Sequence, residues 1–135
     1  MGADYGINYL NTDFPREVRR ITGKRGVDVA VNCIGGDTWA KSLASLAKGG
    51  RLVSCGAVAG PNPQTDIRRI FWNHLRVFGS ALGTRWKFTQ LLNLMKGAPI
   101  KPVIDQVLPL SEAGFGHRRL EEGKQFGKIV LRPDA

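Results

Sequence analysis

Cysteine is scarce in this sequence: 135 residues hold two, Cys33 and Cys55. They make no CxxC pair and no metal-ligand cluster with His74 or His117, the two histidines, so no metal site is expected. Each ends an apolar run, and both are read as reduced, buried small hydrophobes. Long hydrophobic runs are missing as well. No stretch reaches the roughly 18 residues that would span a bilayer, and no basic-then-apolar leader opens the chain. These absences predict a cytoplasmic protein with no membrane partner. Internal repeats and low-complexity tracts are absent too, so the chain is expected to fold as one ordinary domain's worth of α/β elements.

Acidic residues are few: 11 against 20 lysines and arginines, a net charge of +9. Such an excess raises the question of an anionic partner. The basic residues are scattered, however. Their densest groups are Arg16 with Arg19 and Arg20, Arg68 with Arg69, and Arg118 with Arg119. Each lies on a stretch of helical periodicity and reads as a solvated helix face, so no nucleic-acid partner is expected.

Strand-like and helix-like stretches alternate from the first residues, the order of an α/β protein. Tyr5 to Tyr9 is a short extended candidate. Asn11, Thr12 and Asp13 supply capping chemistry, Pro15 suits a first helical turn, and Gly23 stops the helix. Val27 to Ile34 is a β-branched apolar run of the kind covered on both faces in a parallel sheet. Asp37 can cap a helix carrying Trp39, Leu43 and Leu46, which Gly49 and Gly50 would end. Arg51 to Gly56 reads as a strand. Ala57 to Thr65, with Gly60, Pro61 and Pro63, is a candidate binding loop.

A short helix about Ile67, Ile70 and Phe71 follows, then a strand from Val77 to Leu82 in which Gly79 marks a bulge or a close backbone approach. Phe88, Leu91, Leu92 and Met95 define a helix closed by Gly97. Val103 to Leu108 and Gly127 to Leu131 read as strands. Between them Ser111 and Glu112 open a helix that Gly114 and Gly116 weaken, each by about 1 kcal/mol relative to alanine.

The phrases GADYGINY, GVDVAVNCIGG, LAKGGRLVSCGAVAG, VFGSALGT and KPVIDQVLPLSEAGFGHRRLEEGKQFGKIVL stand in this order along essentially the whole chain. In register they resemble the C-terminal half of a zinc-independent quinone oxidoreductase of the medium-chain dehydrogenase/reductase superfamily. The resemblance implies a partial Rossmann fold, a doubly wound parallel sheet lacking its first two strands. Residues 1–82 would be the second half of the NAD(P)-binding domain, and residues 83–135 a C-terminal return segment. In the strand order 3-2-1-4-5-6 the missing strands separate the third from the fourth. Tyr5 to Tyr9, resembling the third, would therefore either slide against Val27 to Ile34 or detach. Residues beyond about Leu82 would also lack much of their packing surface.

The resemblance implies NADPH or NADH as cofactor and hydride transfer to a quinone or an α,β-unsaturated carbonyl. Ile34 and Gly35, with Cys33, would flank the adenosine side. Cys55, Gly56 and Ala57 would line the nicotinamide end. Backbone groups at Ser80 and Leu82 would address the carboxamide, and Lys128 would approach the phosphates. The glycine-rich phosphate loop GxGxxG does not occur in these residues, nor does the group that separates NAD from NADP. No catalytic residue is assigned. The isolated chain is expected to bind cofactor weakly and to turn over little. A different class of reading is a non-catalytic association module, a homodimer formed through the strand at 77–82.

Overall fold

The structure, a computed structural model, describes residues 2–98 and 100–133. The chain divides between Leu82 and Gly83 into two compact units.

In the first unit the elements are α1 (Phe14–Ile21), β1 (Val27–Asn32), α2 (Thr38–Ser45), β2 (Leu46–Ser54), α3 (Ile67–Trp72) and β3 (Arg76–Gly79). The strands form one parallel sheet in the order β1-β2-β3. Leu52 stands between Ala30 and Val77 in the register and is fully buried. With Leu43, Leu46 and Leu75 it makes the core, and Val27, Ala30, Trp39 and Ile70 pack around it. Removing these apolar side chains from water is the main force holding α2 on the sheet.

Several expectations need correction. Tyr5 to Tyr9 forms no strand and joins no sheet, so it does not pair with β1, yet Ile7 and Tyr9 line a cavity together with Val27, Ala30 and Val31 of that strand. Within the unit β1 is covered on one face only: Val29 and Val31 remain exposed, Val31 at 69%. Alternation puts them on the side opposite Leu52.

Gly49 and Gly50 do not end α2. The helix stops at Ser45, and both glycines lie within β2, where the register with β1 shifts between Val27 and Val29. Asp13 and Asp37 occupy N-cap positions without making a side-chain capping bond. Asp66, not singled out in the sequence, does cap: its carboxylate accepts the Arg68 N–H at 3.1 Å. The strand expected to reach Leu82 ends at Gly79, and a Cβ at Gly79 would meet nothing, so no close approach occurs there. His74 lies in a turn with a φ of +54°.

The second unit holds α4 (Arg85–Gly97), β4 (Ile104–Pro109), a 3-10 turn (Leu110–Glu112), α5 (Ala113–Glu121) and β5 (Lys128–Arg132). Thr84 caps α4 by accepting the Lys87 N–H. Strands β4 and β5 are parallel, so the segment 104–132 is a β-α-β crossover through α5. Gly116 is buried, and a Cβ there would lie 3.3 Å from Ile129 Cγ2 and 3.5 Å from Leu108 Cδ1. The glycine that weakens α5 as a helix thus lets its backbone sit close on the two strands.

Arg20 and Arg68 are exposed and pair with Glu17 and Asp66 on their own surfaces. Arg119 departs from the solvated-face reading. Its Nε and one terminal nitrogen donate to Asp105 at 2.6 and 3.0 Å, and that carboxylate is mostly buried and also accepts the Phe126 N–H at 3.1 Å.

Candidate functional site

The carboxyl ends of the three parallel strands lie side by side, Asn32 opposite Ser54 and Ser54 opposite Gly79. Hydrogen bonding continues one residue past each pair. Cys55 donates its N–H to the Asn32 carbonyl at 3.1 Å, and Ser80 donates its N–H to the Ser54 carbonyl at 2.8 Å.

Asn32 holds the first of these ends. It is 5% exposed, and its carboxamide is fully used. Nδ2 donates to Thr38 Oγ1 at 3.0 Å and to Ser42 Oγ at 2.9 Å, while Oδ1 accepts the N–H groups of Ile34 at 3.0 Å and Gly35 at 2.8 Å. A buried amide satisfied at all its sites fixes the strand-to-helix turn in one conformation. Thr38 Oγ1 in turn donates to the Gly35 carbonyl at 2.7 Å.

Gly35 and Gly36 follow with φ of +69° and +48°, where a side chain is disfavoured. Their backbone meets the second loop directly. Gly36 donates to the Gly60 carbonyl at 3.0 Å, and Ala59 donates to the Ile34 carbonyl at 2.7 Å. A Cβ on Gly35 would come within 2.7 Å of the Gly60 oxygen, and one on Gly36 within 2.6 Å of the Ala59 oxygen. The indole Nε1 of Trp39 donates to Thr65 Oγ1 at 2.8 Å, tying the far end of the same loop to α2.

Between these loops lies a cavity of about 480 Å³ lined by Gly35, Gly56 and Ala57 together with Trp39, Asn62 and Thr65. The structure therefore gathers three of the expected residues at one site. Cys33 and Ile34 instead line a second, more apolar cavity of about 310 Å³, at the open edge of β1 beside Ile7, Tyr9, Phe14 and Val18. Both cysteines are exposed, not buried, because each lies just past the last strand residue. Ser80 has its N–H committed to Ser54, leaving its carbonyl free of that bond. Leu82 is fully exposed beyond β3. Lys128 opens β5 in the second unit, where its N–H donates to the Val103 carbonyl.

Asn32 escaped the sequence reading, which placed Trp39 on a helix face and Thr65 at the end of the candidate binding loop without joining the two. The available signal was one polar residue, Asn32, inside an apolar run that otherwise reads as a buried strand.

The profile of the zinc-binding dehydrogenase family matches residues 1–131. The chain belongs to this family.

Among curated zinc-binding dehydrogenase relatives, an NAD-dependent alcohol dehydrogenase of Sulfolobus acidocaldarius is 35% identical over 98% of this chain and 38% of its own length. A 2-haloacrylate reductase of a Burkholderia species is 32% identical over 100% of this chain and 44% of its own length. A mycobacterial protein solved in complex with NADPH is 30% identical, with a TM-score of 0.76, over 98% of this chain and 44% of that one. The chain thus spans less than half the length of these relatives. The parallel α/β arrangement agrees with the partial Rossmann fold, a partial doubly wound sheet, expected from the sequence.

The family's description names zinc, a metal held by clustered histidine, cysteine and carboxylate side chains. Among the described residues no three His, Cys, Asp or Glu side chains come together as ligands. No step is therefore assigned to a metal on these residues. Among the described residues no helix is long and apolar enough to cross a membrane.

Proposed function

We propose that this chain supplies one wall of the dinucleotide crevice of an oxidoreductase that passes hydride from NADPH or NADH to a quinone or an α,β-unsaturated carbonyl. The observation that carries the reading is the alignment of three parallel strand ends, Asn32, Ser54 and Gly79, above the glycine-bounded cavity at Gly35, Gly56 and Ala57. Crevices at the carboxyl ends of parallel strands are where α/β proteins bind nucleotides, because backbone approaches the ligand closely there. The cavity fits part of a dinucleotide: its glycines present bare backbone, and Thr65 and Asn62 add polar groups. The names of the relatives, an NAD-dependent dehydrogenase and a reductase of an unsaturated acid, support the same reading.

The nicotinamide ring supplies the hydride when the cofactor is bound, and the protein's part is to hold and orient it. In this reading Gly35 and Ile34 border the adenosine side. Gly56 and Ala57, with Cys55, border the nicotinamide end, and the Ser80 carbonyl and Leu82 backbone face the carboxamide. No residue of the chain is assigned to proton transfer, and the setting is cytoplasmic.

The test is a titration of NADPH and NADH into the 135-residue chain, followed by amide chemical shifts. Saturable movement of Gly35, Gly56, Ala57 and Ser80 at millimolar nucleotide is the expected result. Shifts confined to other residues, or none while the fold persists, would overturn the proposal.

A second reading, association without catalysis, is favoured by one observation. β3 ends the sheet order and all four of its residues are exposed. Its open edge offers unpaired backbone groups to a second copy across a two-fold axis. Sedimentation that gives a concentration-dependent dimer, abolished by Val77→Pro, supports it, and a monomer at every concentration removes it.

A further inference from the structure

The chain has two thiols, and the fold sets them next to each other. Asn32 stands opposite Ser54 in the β1–β2 register, so Cys33 and Cys55 take the next matched position on neighbouring strands. The ladder reaches this position: Cys55 donates its N–H at 3.1 Å to the Asn32 carbonyl, the group bonded to the Cys33 nitrogen. A Cβ built on Gly56, the residue after Cys55, would lie 3.5 Å from the Cys33 Cα. Neighbouring strands run about 4.8 Å apart, within the roughly 4.4–6.8 Å between Cα atoms that a disulfide spans. The Cys55 thiol itself turns to the same carbonyl, its Sγ 4.0 Å from the Asn32 oxygen. Both thiols are exposed and free.

We propose that Cys33 and Cys55 form a reversible redox pair that closes into an intrachain disulfide across the ends of β1 and β2. The oxidant is a small disulfide of the glutathione class. One cysteine, having released its proton to solvent, attacks a sulfur of glutathione disulfide. A mixed disulfide forms and one glutathione thiolate leaves. The second cysteine, likewise deprotonated, attacks the protein sulfur of that mixed disulfide and expels the second glutathione. Two protein thiols thereby lose two protons and two electrons, and one glutathione disulfide becomes two glutathione thiols. The new bond ties the loop after Asn32 to the loop that begins at Gly56, so it changes the freedom of the cavity's rim whatever the cavity binds.

The experiment exposes the whole 135-residue chain to glutathione disulfide, blocks residual thiols, and maps tryptic peptides without reduction. Cys33 falls in peptide 26–41 and Cys55 in peptide 52–68. These two peptides are expected to appear linked, in a chain of monomer mass, and to separate with dithiothreitol. Folding should raise the ratio of linked to singly glutathionylated product at least about tenfold over the same chain in urea, because the fold sets the local thiol concentration. Cys33→Ser and Cys55→Ser should each stop at the mixed disulfide, with circular dichroism showing the fold retained. Two separate glutathionylated peptides, links only between chains, or an equal ratio in urea would each overturn the proposal.

Discussion

The carboxamide oxygen of Asn32 accepts the Gly35 N–H at 2.8 Å, which joins the last residue of β1 to the first glycine of the candidate crevice. The other three hydrogen-bonding sites of the same side chain are also filled. Asn32→Ala leaves two N–H groups and two hydroxyls to find new partners in a buried setting. The expected loss is about 2–4 kcal/mol in urea unfolding followed by circular dichroism. A loss below that of an ordinary surface substitution would mean that water or a shift of the loop replaces the amide.

Gly35→Ala combines a positive φ with a Cβ placed within 2.7 Å of the Gly60 oxygen. It should cost about 2–4 kcal/mol and reduce any nucleotide-dependent shift at Ala57, because the two loops must part. Gly49→Ala is the control. Its φ is +76° but a Cβ there meets nothing, so only the backbone strain of about 1 kcal/mol should appear. Equal losses at the two positions would show that contact between the loops contributes little.

Asp105 is held well below the ordinary carboxylate range, from 3.8 to about 2, chiefly by hydrogen bonds from Arg119 and next by the Phe126 N–H. Its folded value lies under its unfolded one, so its contribution to stability is complete above the unfolded pKa. That contribution is lost as pH falls from about 4 toward 2. Thermal unfolding of the second unit should therefore weaken across this window, and Asp105→Asn should flatten the dependence while lowering stability near neutrality. A profile unchanged by Asp105→Asn would assign the acid sensitivity to other carboxylates.

The two glycines of α5 should respond in opposite directions. A Cβ at Gly114 meets only the end of the flexible Arg118 side chain at 4.0 Å, so Gly114→Ala should stabilise by up to about 1 kcal/mol through helix propensity. Gly116→Val presses on Ile129 and Leu108 and adds a β-branch, and it should destabilise by about 1–3 kcal/mol. Denaturant midpoints for the two variants decide the point; a stabilising Gly116→Val would mean that β4 and β5 yield to the helix.

Period and punctuation in the chain were enough to find the alternating elements, because apolar runs such as Val27 to Asn32 and helix stops such as Gly23 act locally. The ordered phrases carried the family and with it the partial doubly wound sheet, while the β-branched run from Val27 to Ile34 pointed to parallel pairing. Residue type alone misjudged the cysteines: both end apolar runs, but burial depends on what packs above them, and they lie past the strand ends. It also placed Gly49 and Gly50 at a helix end, whereas tertiary pairing draws Leu46 and the residues after it into β2. The same holds for Arg119, which has the look of a surface charge until β4 brings Asp105 beneath it. Propensity and pattern are properties of neighbours in sequence, and these three outcomes depend on neighbours in space. For that reason only the folded chain sets Cys33 beside Cys55, binds Asn32 into the turn before Gly35, and opens the cavity between Gly35 and Thr65.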